Sequence, residues 1–333
     1  MEYCNPVYPS YFADPFVWRH QDHWYAVGTG LLEAHSQAGR ASESLTMSGE
    51  PGVFQLLQSH NMVEWKPLGS ALELLPPEFG NTYWAPEVAF AEGKFWMYYS
   101  VGREDKAHHI RVAISDDPRG PYVDTGVRLT DPFRCPFAID GSPYQDVDGA
   151  WYLFYAVDFL DADEDRRAGT GVVVDRLVSM TELAGSPQPV VRARHDWQRF
   201  LRNRIMYGAY FDWHTIEGPC VRKRHGRYWC LFSAGRWENE TYGVDWAVAD
   251  DVLGPWEFVG SPDGARLLRT RPGEVLGPGH NCVVTGPDGA SDYIVYHAWD
   301  PAMTARRMFM DKLDWTPRGP VCEGPSLRPQ GMR

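Results

Sequence analysis

Gly93-Lys-Phe-Trp-Met-Tyr-Tyr-Ser100 decides the fold, because the same arrangement recurs along the chain. A turn residue is followed at short spacing by an aromatic, then by a run of residues that suit a pleated, half-buried strand. Copies stand at Asp22-His-Trp-Tyr-Ala-Val-Gly-Thr29, Gly149-Ala-Trp-Tyr-Leu-Phe-Tyr-Ala156, Gly226-Arg-Tyr-Trp-Cys-Leu-Phe-Ser233 and Ser291-Asp-Tyr-Ile-Val-Tyr-His-Ala298. About one hairpin before each copy, a short strand opens on a polar residue: Asp14, Glu87, Asp140, Glu217 and His280. These openings are separated by 73, 53, 77 and 63 residues, enough for a four-stranded sheet with variable loops. Several copies are followed by a further strand and a Gly-Pro-aromatic turn, as in Val112-Ala-Ile-Ser-Asp-Asp-Pro-Arg-Gly-Pro-Tyr122 and Ala247-Val-Ala-Asp-Asp-Val-Leu-Gly-Pro-Trp256; Gln55 to Trp65 is a looser copy. No amphipathic helical period interrupts the series. Four strands per unit, five times over, predict an all-β chain: a five-bladed β-propeller with four antiparallel strands per blade, one domain spanning residues 1–333.

In a propeller the first strand of each blade lines the central channel. The repeat therefore gathers Asp14, Glu87, Asp140, Glu217 and His280 around one mouth. Converging carboxylates disfavour joint ionisation and drive their pKa values apart, a cost tolerated mainly where the shifted values do chemistry.

Composition narrows the function. With 14 Trp, 17 Tyr and 15 Phe the chain is rich in flat apolar faces, which suit strands and sugar rings alike. A net charge of −12 disfavours a nucleic-acid partner. No apolar run approaches the roughly 20 residues that span a bilayer, so no membrane partner is expected. The N-terminus carries no secretory pattern, which with six cysteines outside any CxxC or zinc spacing predicts reduced thiols and a cytoplasmic location. Cys220 and Cys230 flank the turn at His225-Gly226 symmetrically and are expected as two buried thiols. Nothing in the sequence indicates an oligomeric state.

The motifs resemble those of glycoside hydrolase family 43 across the whole chain. Asn5-Pro-Val followed by Ala13-Asp14-Pro15 is similar to that family's opening motif, whose aspartate is the general base. Phe137-Ala-Ile-Asp140-Gly-Ser-Pro-Tyr resembles the motif of the carboxylate that modulates the acid's pKa and orients it. Ile216-Glu217-Gly218-Pro219 resembles the general-acid motif. Gly277-Pro-Gly-His280-Asn281 is similar to the motif whose histidine sits in the channel near a bound calcium or water. Tyr83-Trp84-Ala85-Pro86-Glu87 matches a further family strand, and Arg306 fits the arginine of the last blade that contacts sugar. No single motif is specific; their order, in phase with the repeats, is.

The resemblance implies an inverting O-glycoside hydrolase acting on a small carbohydrate, with Asp14 as base, Glu217 as acid and Asp140 as modulator. Trp84, Glu87 and Arg306 would bind substrate, and His280 would stand near a Ca²⁺ held through water. α-L-Arabinofuranosidase activity on arabino- or arabinoxylo-oligosaccharides is expected ahead of β-D-xylosidase or endo-arabinanase activity. A non-catalytic sugar-binding propeller is the rival, against which the complete set of carboxylates counts; a structural interaction scaffold predicts strand starts that are polar but not acidic. Taken alone, Asp14 before Pro15 would be a turn opener and Glu87 a buried acid paired with arginine. His108-His109, lacking a third ligand at metal spacing, reads as blade surface.

Overall fold

The computed structural model describes residues 1–30, 46–49 and 52–332, and among these the chain is all-β apart from short 3₁₀ turns. The predicted aromatic strands are the second strands of five successive antiparallel sheets. The first sheet runs Ala13–His20, His23–Thr29, Gly52–Ser59, Lys66–Glu73; the second Thr82–Ala91, Lys94–Arg103, Lys106–Ser115, Val123–Arg128. The third begins Ala138–Gln145, Trp151–Phe159, Gly169–Ser179. The fourth is Ile216–Arg224, Arg227–Ala234, Gly243–Ala249, and the fifth Leu276–Thr285, Asp292–Trp299, Arg306–Thr316, Gly319–Val321. The turn at His225-Gly226 forms as expected, with φ of 52° and 75° joining Arg224 to Arg227.

Each first strand packs against the first strand of the next sheet, and the fifth returns to the first. Five apolar clusters fill the gaps between consecutive sheets. One joins Tyr25, Leu56 and Leu72 of the first sheet to Met97 and Tyr99 of the second; another joins Val17 and Trp24 to Val295, Met308 and Met310 of the fifth. The middle strands are buried on both faces, which explains why their sequences run apolar instead of alternating. The result is a propeller-like arrangement of antiparallel sheets.

The ring is closed by the segment before the first sheet. Glu2–Tyr3 pairs with Gln330–Gly331, and Asn5 acts as a clasp. Its amide donates to Met310 O (2.9 Å), Ser326 O (3.0 Å) and Asp311 Oδ2 (3.3 Å), and its Oδ1 accepts from Met310 N (2.8 Å).

The uniform count of four strands does not hold. The third sheet has seven strands, because Glu182–Leu183 and Gln188–Val191 both pair with Gly169–Ser179 and a hairpin, Arg199–Met206 with Ala209–His214, is added beyond it. The hairpin joins through a single parallel pairing of Gly169 with His214. Only glycine fits there: at φ 144° a Cβ would stand 1.9 Å from His214 O. The fourth sheet has three strands among the described residues, its outer edge met by isolated bridges of Val244 with Leu268 and of Val248 with Glu257. Cys220 and Cys230 are buried and free; Cys220 faces Leu231 across the hairpin, and Cys230 faces Val221. Among the described residues no helix is long and apolar enough to cross a membrane.

Candidate active site

Every first strand carries a β-bulge near its start, between Ala13 and Phe16, Trp84 and Glu87, Ile139 and Ser142, Glu217 and Cys220, and Gly279 and Cys282. At each bulge one residue lies in the left-handed region: Asp14 (φ 48°), Ala85 (45°), Asp140 (59°), Gly218 (57°) and His280 (49°). Aspartate and histidine tolerate this conformation better than most non-glycine residues, and bulges re-aim side chains beside active sites. The left-handed N–H is caught by the preceding sheet in all five cases, by Asp140 Oδ2 of the first strand for Gly218 (2.9 Å) and by the second strand for the other four. Ala85 donates to Thr29 Oγ1 (2.9 Å), Asp140 to Ser100 Oγ (3.0 Å), His280 to Ser233 Oγ (2.6 Å) and Asp14 to His297 Nδ1 (3.0 Å). Thr29, Ser100 and Ser233 are the hydroxyl residues that end the repeated aromatic strand. The repeat therefore positions the site residues as well as building the sheets.

Asp14, Asp140, Glu217, Trp84, His280 and Arg306 all line one cavity of about 320 Å³, together with Thr82, Glu104, Ile139, Trp237 and Tyr242. Glu87 does not reach it. Ala85, not Glu87, is the structural counterpart of Asp14, and two residues further along the strand Glu87 is buried beneath the cavity. Burial pushes its carboxyl up to about 8, against the pull of a Ser142 hydrogen bond and the Arg222 charge. His108 also departs from expectation: it is wholly buried and stacks on Trp84 (centroids 3.5 Å apart, 14° between planes), backing that wall. Burial holds its pKa down at about 4, so the ring is neutral.

The cavity has two electrostatic sides. On one, Asp14 Oδ1 lies 3.2 Å from His297 Nδ1, 3.4 Å from His280 Nδ1 and 3.5 Å from Arg306 Nη1. Burial alone would raise the Asp14 carboxyl; His280, Arg306 and His297 overcome it and hold the group far below the usual carboxylate range. Burial drives both histidines toward neutrality, His297 to about 4, so the permanent charge facing Asp14 is that of Arg306. Arg306 is held by Tyr11 Oη (2.7 Å) and lies over the Trp237 ring at 4.4 Å.

On the other side Glu217 is raised to about 7, first by burial and then by the Asp14 charge, with Tyr242 and Arg306 pulling it down. Tyr242 Oη donates to Glu217 Oε1 at 2.7 Å. Asp140 accepts from Gly218 N at 2.9 Å and is also raised, by burial, then by Glu217 and Asp14. The pair cannot both ionise beside Asp14 in a dry wall, so at neutral pH they retain a proton between them.

A Ca²⁺ beside His280 would have to take its oxygen ligands largely from water. It takes six to eight oxygen ligands; among the described residues no group of three or more His, Cys, Asp or Glu converges as a ligand set. Arg306 brings positive charge to the mouth. Below it the buried Arg222 donates to Val221 O (2.8 Å) and Val283 O, close enough to lower Glu87.

The sequence profile described as Glycosyl hydrolases family 43 matches residues 3–321. The chain belongs to this family. It is therefore an O-glycoside hydrolase. A solved thermostable family-43 glycoside hydrolase is 28% identical, with a TM-score of 0.78 and coverage of 99% of this chain and 98% of that one. Among curated relatives, a beta-D-galactofuranosidase of Aspergillus niger is 26% identical over 88% of this chain and 75% of its own length. An extracellular exo-alpha-(1->5)-L-arabinofuranosidase of Streptomyces chartreusis is 25% identical, over 89% and 82% respectively.

Sequence reasoning missed Tyr242, Trp237 and His297. His297 stood in view, near the end of the fifth aromatic strand. Tyr242 and Trp237 belong to the segment joining Ala234 to Gly243, whose approach to the axis no local pattern encodes.

Proposed function

We propose that this chain is a single-domain, five-bladed propeller glycosidase that removes a terminal pentosyl residue with inversion, acting on an oligosaccharide. α-L-Arabinofuranoside is favoured over β-D-xyloside. One observation carries the reading: a single cavity holds a carboxylate kept ionised, Asp14, and a carboxyl kept protonated near neutral pH, Glu217. Hydrolysis with inversion needs that division. Asp14 takes a proton from a water whose oxygen bonds to the anomeric carbon. Glu217 gives its proton to the leaving oxygen as the glycosidic bond breaks. Asp140 accepts the Gly218 N–H beside Glu217 and, through the proton the two carboxyls hold between them, modulates the acid. Arg306 and Trp84 would hold the sugar, with Tyr242 and Trp237 completing the walls. A cytoplasmic location belongs to the same proposal and fits six free thiols.

The test is a panel of nitrophenyl α-L-arabinofuranoside, β-D-xyloside and β-D-galactofuranoside, with proton NMR of the first sugar released. Turnover of a pentoside with inverted anomeric configuration is expected. Turnover of none of them, or preference for the galactofuranoside, overturns the pentosyl assignment; a retained anomer overturns the roles of Asp14 and Glu217.

A further inference from the structure

We propose that the hairpin Arg199–Met206/Ala209–His214 builds the leaving-group side of the site, and that this side takes an oligosaccharide of at least two sugars. The inference rests on the roles given above to Asp14 and Glu217. Two more cavities continue from the first. One, of about 110 Å³, shares Trp84, Ile139, Glu217 and Trp237 with it. The next, of about 670 Å³, shares Phe137 and Asp158 with the second. Asp14 lines only the first, whereas Glu217 lines the first two. The acid must touch the leaving oxygen and the base must act from across the ring. A leaving group therefore runs from Glu217 away from Asp14, into the second cavity and on toward the third.

The hairpin supplies much of that path, and none of the five repeats contains it. It is moored at two points: Arg204 Nη2 to Asp105 Oδ2 at 2.6 Å, and Tyr207 Oη to Asp158 Oδ2 at 2.6 Å. Between the moorings the Arg204 guanidinium lies 5.1 Å from the Phe200 ring centre and 5.7 Å from that of Trp213. Flat apolar faces beside a fixed cationic donor match the alternating apolar and hydroxyl surfaces of a sugar. Asp158 stands where the second and third cavities meet. Its Oδ1 is buried with no hydrogen-bond partner in the structure, and burial raises the carboxyl to about 6 despite the Tyr207 bond. A sugar hydroxyl beyond the first leaving unit would satisfy that oxygen.

The experiment measures kcat/KM on the di-, tri- and tetrasaccharide of the pentose turned over, for the parent enzyme, Phe200→Ala and Asp158→Asn. Inhibition by the free pentose is measured alongside. In the parent, kcat/KM is expected to rise about tenfold from di- to trisaccharide. Phe200→Ala should lose about tenfold on every oligosaccharide. Asp158→Asn, which keeps the shape of the side chain, should flatten the step between two and three units. The inhibition constant of the free pentose should stay within twofold in both variants, because that sugar occupies the Asp14 cavity. Equal parent values for two and three units, or a step that survives both substitutions, overturns the inference while leaving the function in place. Failure to cleave any pentoside overturns the functional proposal, and this inference with it.

Discussion

The two sides of the cavity contain the same chemical group in opposite states. Asp14 and Asp140 are both aspartates at a left-handed bulge position, both buried, and each donates its backbone N–H to the second strand of the preceding sheet. What separates them is the residue that fifth-sheet neighbours bring: Arg306, His280 and His297 surround Asp14, whereas Asp140 meets Glu217. Burial pushes both carboxyls the same way, so the difference measures charge placement and not solvent exclusion. One backbone device repeated around a ring can thus yield an ionised wall and a protonated one, depending on which sheet contributes the neighbour.

The largest expected effect separates the two sides by substrate. Asp14→Asn should lower kcat/KM by about 10³-fold for oligosaccharides and activated aryl glycosides alike, since the water must be activated in both. Glu217→Gln should cost a similar factor on oligosaccharides and only about tenfold on aryl glycosides with good leaving groups, which need little protonation. Equal losses for Glu217→Gln on the two substrate kinds would erase the distinction.

The pH profile sharpens it. With Glu217 in the proposed role of acid, activity should fall as pH rises past about 7, while Asp14 stays ionised far into acid and places no limb there. Tyr242→Phe removes a hydrogen bond that lowers the Glu217 pKa, so the alkaline limb should move upward. Arg306→Met removes the permanent charge facing Asp14 and should bring an acidic limb into the measurable range. Limbs that stay fixed in both variants would show that other groups set the profile.

The smallest effect is on stability. The folded pKa of Glu217 is raised from 4.5 to about 7, so the cost of its proton grows as pH climbs through that window and is constant above it. Glu217→Gln escapes this cost. Its melting temperature relative to the parent should therefore improve by a few degrees between pH 5 and pH 8, read by calorimetry, and a flat difference would deny the buried proton.

Much of this was legible because the repeated unit is local: a turn, an aromatic strand and a polar opening lie close together in sequence. Asp14, Asp140 and His280 were found in phase because the left-handed bulge position favours their side chains. Glu87 was misplaced by two residues because the carboxylate, and not the bulge, anchored the comparison. Its strand puts Ala85 at that point, and alanine gives no signal. The seven- and three-stranded sheets were not legible, since joining hairpin 199–214 to the third sheet rests on one pairing at Gly169 and not on any period. His108 looked exposed for the same reason: the Trp84 ring that covers it comes from another strand.

The Asn5 clasp sets an order in time. Its partner Met310 lies 305 residues away, so the bond can form only after a loop of nearly the whole chain has closed. Contacts of such long sequence separation are the slow ones in folding. Asp14 follows this seam on one side, and the Arg306 that tunes it lies just before it on the other. Local strands can therefore form, and even sheets assemble, before Asp14 meets its cation. During refolding, circular dichroism should recover ahead of turnover, and catalysis becomes the clock that records when the two ends of the molecule meet.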